Sequence, residues 1–284
     1  MSRPLLLVFS DLDGCLLDHH TYSYDAARPA LALLRRRGAE LLLVSSKTRG
    51  EMLPLVRSLG LAAPFAVENG GALVLPAGRF PQQGEDVGED GWSVVPLGTP
   101  REELVRALAA IAAETQTRVQ GFAGLPPATL THLTGLPKPA AVLAGQREYD
   151  EPFLLEGDAE ATEAVTRAAA RRGLRVTQGG RFHHLTGPTD KGAAVRRMLA
   201  LYRGPATSVA LGDARNDASM LAAVERPILM PDPSGRFDPD LVRALPLAER
   251  APRPGPSGWN AAVVAVLEGR TLPRVGRDAV PDAP

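Results

Sequence analysis

The chain has 284 residues, 44% hydrophobic and 23% charged, with 32 basic side chains balanced by 32 acidic ones. This length allows one large domain or two ordinary ones, and the zero net charge argues against a polyanion-binding surface, so no nucleic-acid partner is expected. A single cysteine, Cys15, excludes an intramolecular disulfide framework. No stretch approaches the roughly 20 apolar residues that span a bilayer, and a cytoplasmic protein without a membrane partner is expected.

In chain order, residues 5–10 form a short apolar run that predicts a strand buried on both faces, as in a parallel sheet. Residues 25–37 predict a helix, with Pro29 tolerated in its first turn and Gly38 just past its end. A second buried strand is expected over 40–45, then a helix over 48–59 that Pro54 should kink or delay. Residues 65–67 and 72–75 flank Asn69-Gly70-Gly71, a hairpin signal. The polar stretch 78–91 reads as a linker. Strands over 92–97, 118–122, 151–155, 174–178 and 181–185 then mix with helices over 100–114 and 159–172 and a Pro-rich, helix-compatible stretch. The buried-strand pattern resumes with a helix over 191–202, a strand over 207–211, a helix over 216–224 and a strand over 227–230. Residues 231–258 read as irregular, 259–268 as a closing helix, and the tail beyond about 270 as disordered.

These elements predict an α/β fold: a doubly wound, mainly parallel, Rossmann-like core with an inserted α+β cap domain. The expected division is a core over 1–83 and 187–284 and a cap over 84–186.

The chemistry-bearing residues follow the buried strands. Asp11-Leu12-Asp13-Gly14 comes directly after the first strand, where open α/β sheets bind ligands. Of two carboxylates so spaced, one can bind metal and attack phosphorus while the other exchanges protons with the leaving group. Alone, such a motif is as readily a solvated acidic turn. Gly212-Asp213-Ala214-Arg215-Asn216-Asp217 also follows a buried strand, and its acids and amide, converging with Asp11 and Asp13, suit a hard cation such as Mg²⁺. Asp217 reads equally as an orienting or helix-capping residue. Ser45, followed by Ser46, Lys47 and Thr48, ends the second strand, where hydroxyls and backbone N–H groups bind phosphate or simply cap a helix. Lys191 opens a helix and can supply a cation to the same cluster. Only three of the 32 basic residues are lysines, and Lys47 and Lys191 fall where a phosphoryl site wants a compact charge.

In this order and context, Asp11-x-Asp13-Gly14, Ser45, Lys191 and Gly212-Asp213-x-x-Asn216-Asp217 resemble the motifs of the haloacid dehalogenase-like phosphohydrolases. The resemblance implies Asp11 as nucleophile, Asp13 as general acid/base, Ser45 and Lys191 as phosphate ligands, and Mg²⁺ held by Asp11, Asp213 and the Asp13 carbonyl. Cys15 stands where that family usually has Thr, and a thiol is the weaker hydrogen-bond partner. Five further segments, beginning at Val44, Val67, Arg147, Gly179 and Asp190, resemble the mannosyl-3-phosphoglycerate phosphatase branch, with a large α/β cap and mannosylglycerate, a compatible solute, as product. That resemblance covers most of residues 5–268. Candidate substrate contacts are Ser46, Lys47, Asn69, Gly70, Arg147, Glu148, Arg181 and His184, with Arg suited to bidentate capture of a glycerate carboxylate. The plainer reading is a structural Arg–Glu pair within the cap. Of His183 and His184, adjacent on a strand, one faces the cleft, and the resemblance favours His184. The alternatives are a phosphatase for glucosyl-3-phosphoglycerate or another sugar phosphate, a sugar phosphomutase, or a silent binding protein that retained every motif acid. Oligomeric state is not readable from the sequence.

Overall fold

The computed structural model describes residues 4–80, 87–88, 90–179 and 182–274. The described chain packs as two compact units, one from residues within 1–45, 63–66 and 190–284, the other from 46–62 and 67–189.

The first unit is built on a five-stranded sheet. Its strands are β1 (Leu5–Ser10), β2 (Glu40–Leu43), β10 (Ala206–Gly212), β11 (Arg226–Leu229) and β12 (Glu249–Arg250), in the order β12-β11-β10-β1-β2. Every pairing in this sheet is parallel. Its central strands are apolar because both faces are covered: Leu7, Val8, Phe9, Val209, Ala210 and Leu211 have no exposed surface. The helices are α1 (Arg28–Arg36), α7 (Lys191–Leu199), α8 (Ala218–Leu221), α9 (Pro239–Ala244) and α10 (Gly255–Leu267); α1 packs on α10 and α7 on α8. Gly192 permits the second contact, since a Cβ there would collide with the Ser219 carbonyl.

The second unit holds α2 (Arg49–Ser58), β4 (Ala72–Pro76), β5 (Trp92–Pro96), α3 (Arg101–Thr115), β6 (Arg118–Gly121), α4 (Pro127–Thr134), α5 (Lys138–Gly145), β7 (Asp150–Glu156), α6 (Ala159–Ala170), β8 (Arg175–Gly179) and β9 (Phe182–Thr186); β3 (Phe65–Val67) is divided between the units. Strands β6, β7, β9 and β8 form an antiparallel sheet in that order. Leu104, Leu108 and Ile111 of α3 and Val165, Ala168 and Ala169 of α6 pack with Phe153 and Leu185 of the sheet. A small cluster of Phe122, Leu130 and Ala141 accompanies α4 and α5.

Several details differ from the expectations. Pro54 lies inside α2 without delaying its start, because Thr48 caps the helix: its hydroxyl accepts from Glu51 N–H, and Glu51 accepts from Thr48 N–H. The Asn69-Gly70 signal does join strands that neighbour each other, in the sheet order β3-β4-β5, but through a 3₁₀ turn over Glu68–Gly70 in which Glu68 and Asn69 have left-handed φ. The stretch read as irregular, 231–258, contains α9, β12 and the first turn of α10. The helix expected over 216–224 is only the short α8. Composition places a boundary near residue 83, whereas 46–62 and the chain from 67 pack with the middle third: α2 contacts α5, and Glu68 binds backbone at Glu148 and Tyr149. Of the tail expected to be disordered, residues 275–284 lie outside the described residues.

Candidate active site

The site in the first unit follows from strand order. From β1 the chain moves through α1 to β2 on one side, while from the adjacent β10 it moves through α8 to β11 on the other. Chains leaving neighbouring strands in opposite directions open a crevice at their carboxyl ends. Ser10 pairs in register with Leu211, and Asp11 N–H donates to the Leu211 carbonyl at 3.0 Å, so Asp11 and Asp213 emerge side by side. The base of the Asp11 loop is pinned from α10: Trp259 Nε1 donates to Ser10 Oγ at 2.9 Å, and that hydroxyl donates to the Asp11 carbonyl at 2.6 Å.

Oxygens of Asp11 and Asp213 and the sulfur of Cys15 lie within 4.8 Å of one another. Gly14 makes this approach possible. It has a φ of +78°, and a Cβ there would stand 2.6 Å from Asp213 Oδ2. The buried Cys15 thiol donates to Asp213 Oδ1 at 3.5 Å.

Lys191, at the start of α7, is 1% exposed and bridges two carboxylates, with Nζ 2.6 Å from Asp11 Oδ1 and 2.6 Å from Asp217 Oδ1. Asp217 Oδ2 accepts from the N–H groups of Asp213 at 3.0 Å and Ala214 at 3.1 Å. Asp217 therefore orients the loop and the lysine together. Burial alone would lower the Lys191 pKa, but Asp11 and Asp217 outweigh it and raise it. Burial, with Asp217 and Asp213 nearby, pushes Asp11 up to about 8 against the pull of Lys191. Burial and then Asp217 push Asp213 up to about 6.

Three carboxylates thus share one ammonium, and the two that converge with Cys15 are both shifted toward protonation, as in a site short of positive charge. The oxygen-rich donor set and the Gly14 cradle fit a hard divalent cation. Asp13 is partly exposed in the same loop, and its side chain is not part of the convergent group. Ser45 is buried at the end of the second strand region, its N–H donating to the Ala66 carbonyl at 3.1 Å; Thr48, not Ser45, caps α2. Asn216 is exposed.

The other candidate residues belong to the second unit. Ser46, Lys47, Arg147 and His184 line a cavity of about 220 Å³ together with Glu51 and the apolar side chains of Phe122, Leu136 and Phe182, among others. Asn69, Gly70 and Glu148 are not among its lining residues. Asn69 and Gly70 lie in the 3₁₀ turn, where the Gly70 carbonyl accepts from Thr189 Oγ1 at 2.9 Å; Glu148 faces Arg49, with Oε1 3.5 Å from Nε. Arg181 lies outside the described residues. His183 stacks on Phe153, centroids 5.4 Å apart. Sequence reasoning missed Asp150, which is fully buried and holds both Arg147 (2.5 Å) and His184 (2.8 Å). Its signal lies in the strand pairing of β7 with β9, which composition does not reveal.

The profile of the haloacid dehalogenase-like hydrolases matches residues 8–80. A glucosyl-3-phosphoglycerate/mannosyl-3-phosphoglycerate phosphatase of Methanococcoides burtonii is 42% identical over 92% of this chain and 97% of its own. The chain is a haloacid dehalogenase-like hydrolase. A mannosyl-3-phosphoglycerate phosphatase of Pyrococcus furiosus is 34% identical over 80% of this chain and 91% of its own. Within the family, the chain falls in the branch of these phosphatases. A solved structure of a Thermoplasma acidophilum protein shares the fold, with a TM-score of 0.66, 19% identity, and coverage of 94% of this chain and 99% of that one. A Bacteroides thetaiotaomicron phosphatase of the superfamily does so with a TM-score of 0.67 at 17% identity, covering 93% and 96%. Among the described residues of this hydrolase, no helix is long and apolar enough to cross a membrane.

Proposed function

We propose that this hydrolase removes the phosphate from mannosyl-3-phosphoglycerate, or from its glucosyl counterpart, through a phospho-aspartate on Asp11. The observation that carries this reading is the buried Asp11 carboxylate, tied to Lys191 at 2.6 Å and set beside Asp213 at the switch point of the sheet. Close relatives named for these substrates support the choice of phosphoester.

In the proposed sequence, an Asp11 oxygen attacks phosphorus as the P–O ester bond breaks, and the departing alkoxide takes a proton from Asp13. A water then gives its proton to Asp13 and attacks phosphorus of the phospho-aspartate, releasing inorganic phosphate and restoring both acids. Lys191 and Ser45 bind the phosphoryl oxygens, and Asp217 keeps Lys191 in place. Asp11, Asp213 and the Asp13 carbonyl would hold Mg²⁺, which would neutralise charge between phosphate and carboxylates. Asn216 supports the loop.

Ser46, Lys47, Arg147 and His184, which line one cavity of the second unit, are proposed contacts for the non-phosphorylated part of the substrate. Asn69, Gly70, Glu148 and Arg181 remain proposed contacts. Phosphate release from a panel of phosphoesters with Mg²⁺ tests the reading. Mannosyl-3-phosphoglycerate should exceed mannose 6-phosphate in kcat/KM by at least about 10²-fold, as for loss of a charged contact. Equal values for the two would reject this substrate.

A further inference from the structure

The lining of the cavity in the second unit combines the polar side chains of Lys47, Arg147 and His184 with the apolar ones of Phe122, Leu136 and Phe182. Glu51 also reaches the lining, but its Oε2 accepts from Thr48 N–H at 2.9 Å as part of the cap of α2. That bond leaves the Glu51 charge in place, so Lys47 and Arg147 are offset by Glu51 and by Asp150, which binds Arg147. Directed donors beside apolar side chains suit a small organic acid through hydrogen-bond geometry rather than net charge.

The two groups best placed to meet a carboxylate are not free to choose their orientation. Arg147 Nη1 contacts Asp150 Oδ2 at 2.5 Å and also donates to the Ser46 carbonyl at 3.2 Å. His184 Nδ1 lies 2.8 Å from that same Asp150 oxygen. Burial opposes ionisation of Asp150, but His184 and Arg147 outweigh it and hold its pKa below the usual carboxylate value. Facing an ionised carboxylate, Nδ1 must be the donor, which fixes the proton on that nitrogen. The register of β7 on β9, with Pro152 opposite His184, brings Asp150 and His184 together although they are 34 positions apart in the chain. Arg147 Nε is buried with no protein hydrogen-bond partner, a donor left over once Asp150 and Ser46 are engaged.

From this geometry we infer that Asp150 is a positioning residue: one buried carboxylate orients Arg147 and His184 to receive the carboxylate-bearing end of the phosphoester. The inference rests on the function proposed above and deepens it by assigning the device that sets substrate selection. Asp150 touches no substrate itself.

The test compares kcat/KM for mannosyl-3-phosphoglycerate and for p-nitrophenyl phosphate, which lacks the acid group, in wild type, Asp150→Asn and Asp150→Glu. Asn removes the charge, and Glu keeps it but moves it by one methylene, so either variant can be read if the other fails to fold. The ratio of the two values should fall at least about tenfold in Asp150→Asn, through KM for the acidic substrate rather than through kcat. A ratio equal to that of wild type, or a loss in proportion for both substrates, overturns the inference and leaves Asp150 structural. A wild-type ratio near one would overturn the proposed substrate as well, which distinguishes the two failures. On the wild-type protein alone, ¹⁵N shifts of the His184 ring should report a protonated Nδ1, and an unprotonated Nδ1 contradicts the inference without any variant.

Discussion

Lys191 and Asp217 meet at 2.6 Å with side-chain exposures of 1% and 0%, and the second oxygen of Asp217 holds the backbone of Asp213 and Ala214. One carboxylate thus sets a cation and the loop of another acid together. Without Asp217 the Lys191 ammonium keeps Asp11, but the N–H groups of Asp213 and Ala214 lose their acceptor, at a cost of roughly 1–3 kcal/mol. Asp217→Ala should therefore lose stability by about that amount and lose phosphatase activity with it, measured by urea unfolding and phosphate release. Asp217→Asn keeps an acceptor for the backbone and should be less destabilised than Asp217→Ala. Equal stability of Asp217→Ala and wild type would contradict the orienting role.

Cys15 should be chemically inert in the native protein. It has no exposed surface, and burial followed by the charges of Asp213, Asp11 and Asp217 pushes its thiol well above the usual value. Only the thiolate reacts quickly with disulfide reagents. Labelling by a chromogenic disulfide should be slow in native buffer and complete in denaturant, and fast native labelling would contradict the placement of the thiol.

Glu68 predicts a pH dependence of stability. Burial pushes its pKa up to about 7, although Arg147 and the N–H groups of Tyr149 and Glu148 pull the other way. A carboxylic acid whose folded pKa is raised stabilises the fold fully below its unfolded value of 4.5, and that contribution is lost as pH rises through about 7. The loss amounts to about 3 kcal/mol at 1.36 kcal/mol per pKa unit. Glu68→Gln should lack this component and be the more stable protein at pH 8, with the advantage shrinking toward pH 4.5. Urea titrations at both pH values check this, and parallel pH dependences in the two proteins would refute it.

Much of the core was legible because its signals are local. Apolar runs of strand length followed at once by acids place Asp11 and Asp213 at the carboxyl ends of β1 and β10, and parallel register then brings them together. The central position of Asp150 was not legible, because it depends on which residue of β7 faces which of β9. Arg147 reads in sequence either as a contact for a substrate carboxylate or as half of a structural Arg–Glu pair, and the fold pairs it with Asp150 instead of a glutamate. Pro-rich composition hid α9 and β12, since Pro239 at the start of a helix resembles the prolines of a loop. The polar run after residue 78 has the composition of a domain linker, whereas residues 46–62 already join the second unit through packing of α2 on α5.

The donor set predicts a metal requirement. Chelation should abolish phosphate release and Mg²⁺ should restore it, because three carboxylates share one ammonium around Asp11. Asp213→Ala should weaken Mg²⁺ binding at least about tenfold, as for loss of a principal ligand, read by isothermal titration as well as by activity. Full activity in excess chelator would contradict the assignment.

The most direct test of the account is phosphate release by Asp11→Asn acting on mannosyl-3-phosphoglycerate with saturating Mg²⁺. The substitution keeps the size of the side chain, and its amide oxygen can still accept from Lys191 Nζ, which lies 2.6 Å from Asp11 Oδ1 in the native chain. What it removes is the nucleophile, so turnover should fall by on the order of 10³ or more while thermal unfolding shows an intact fold. Turnover above about a tenth of wild type would contradict a phospho-aspartate on Asp11.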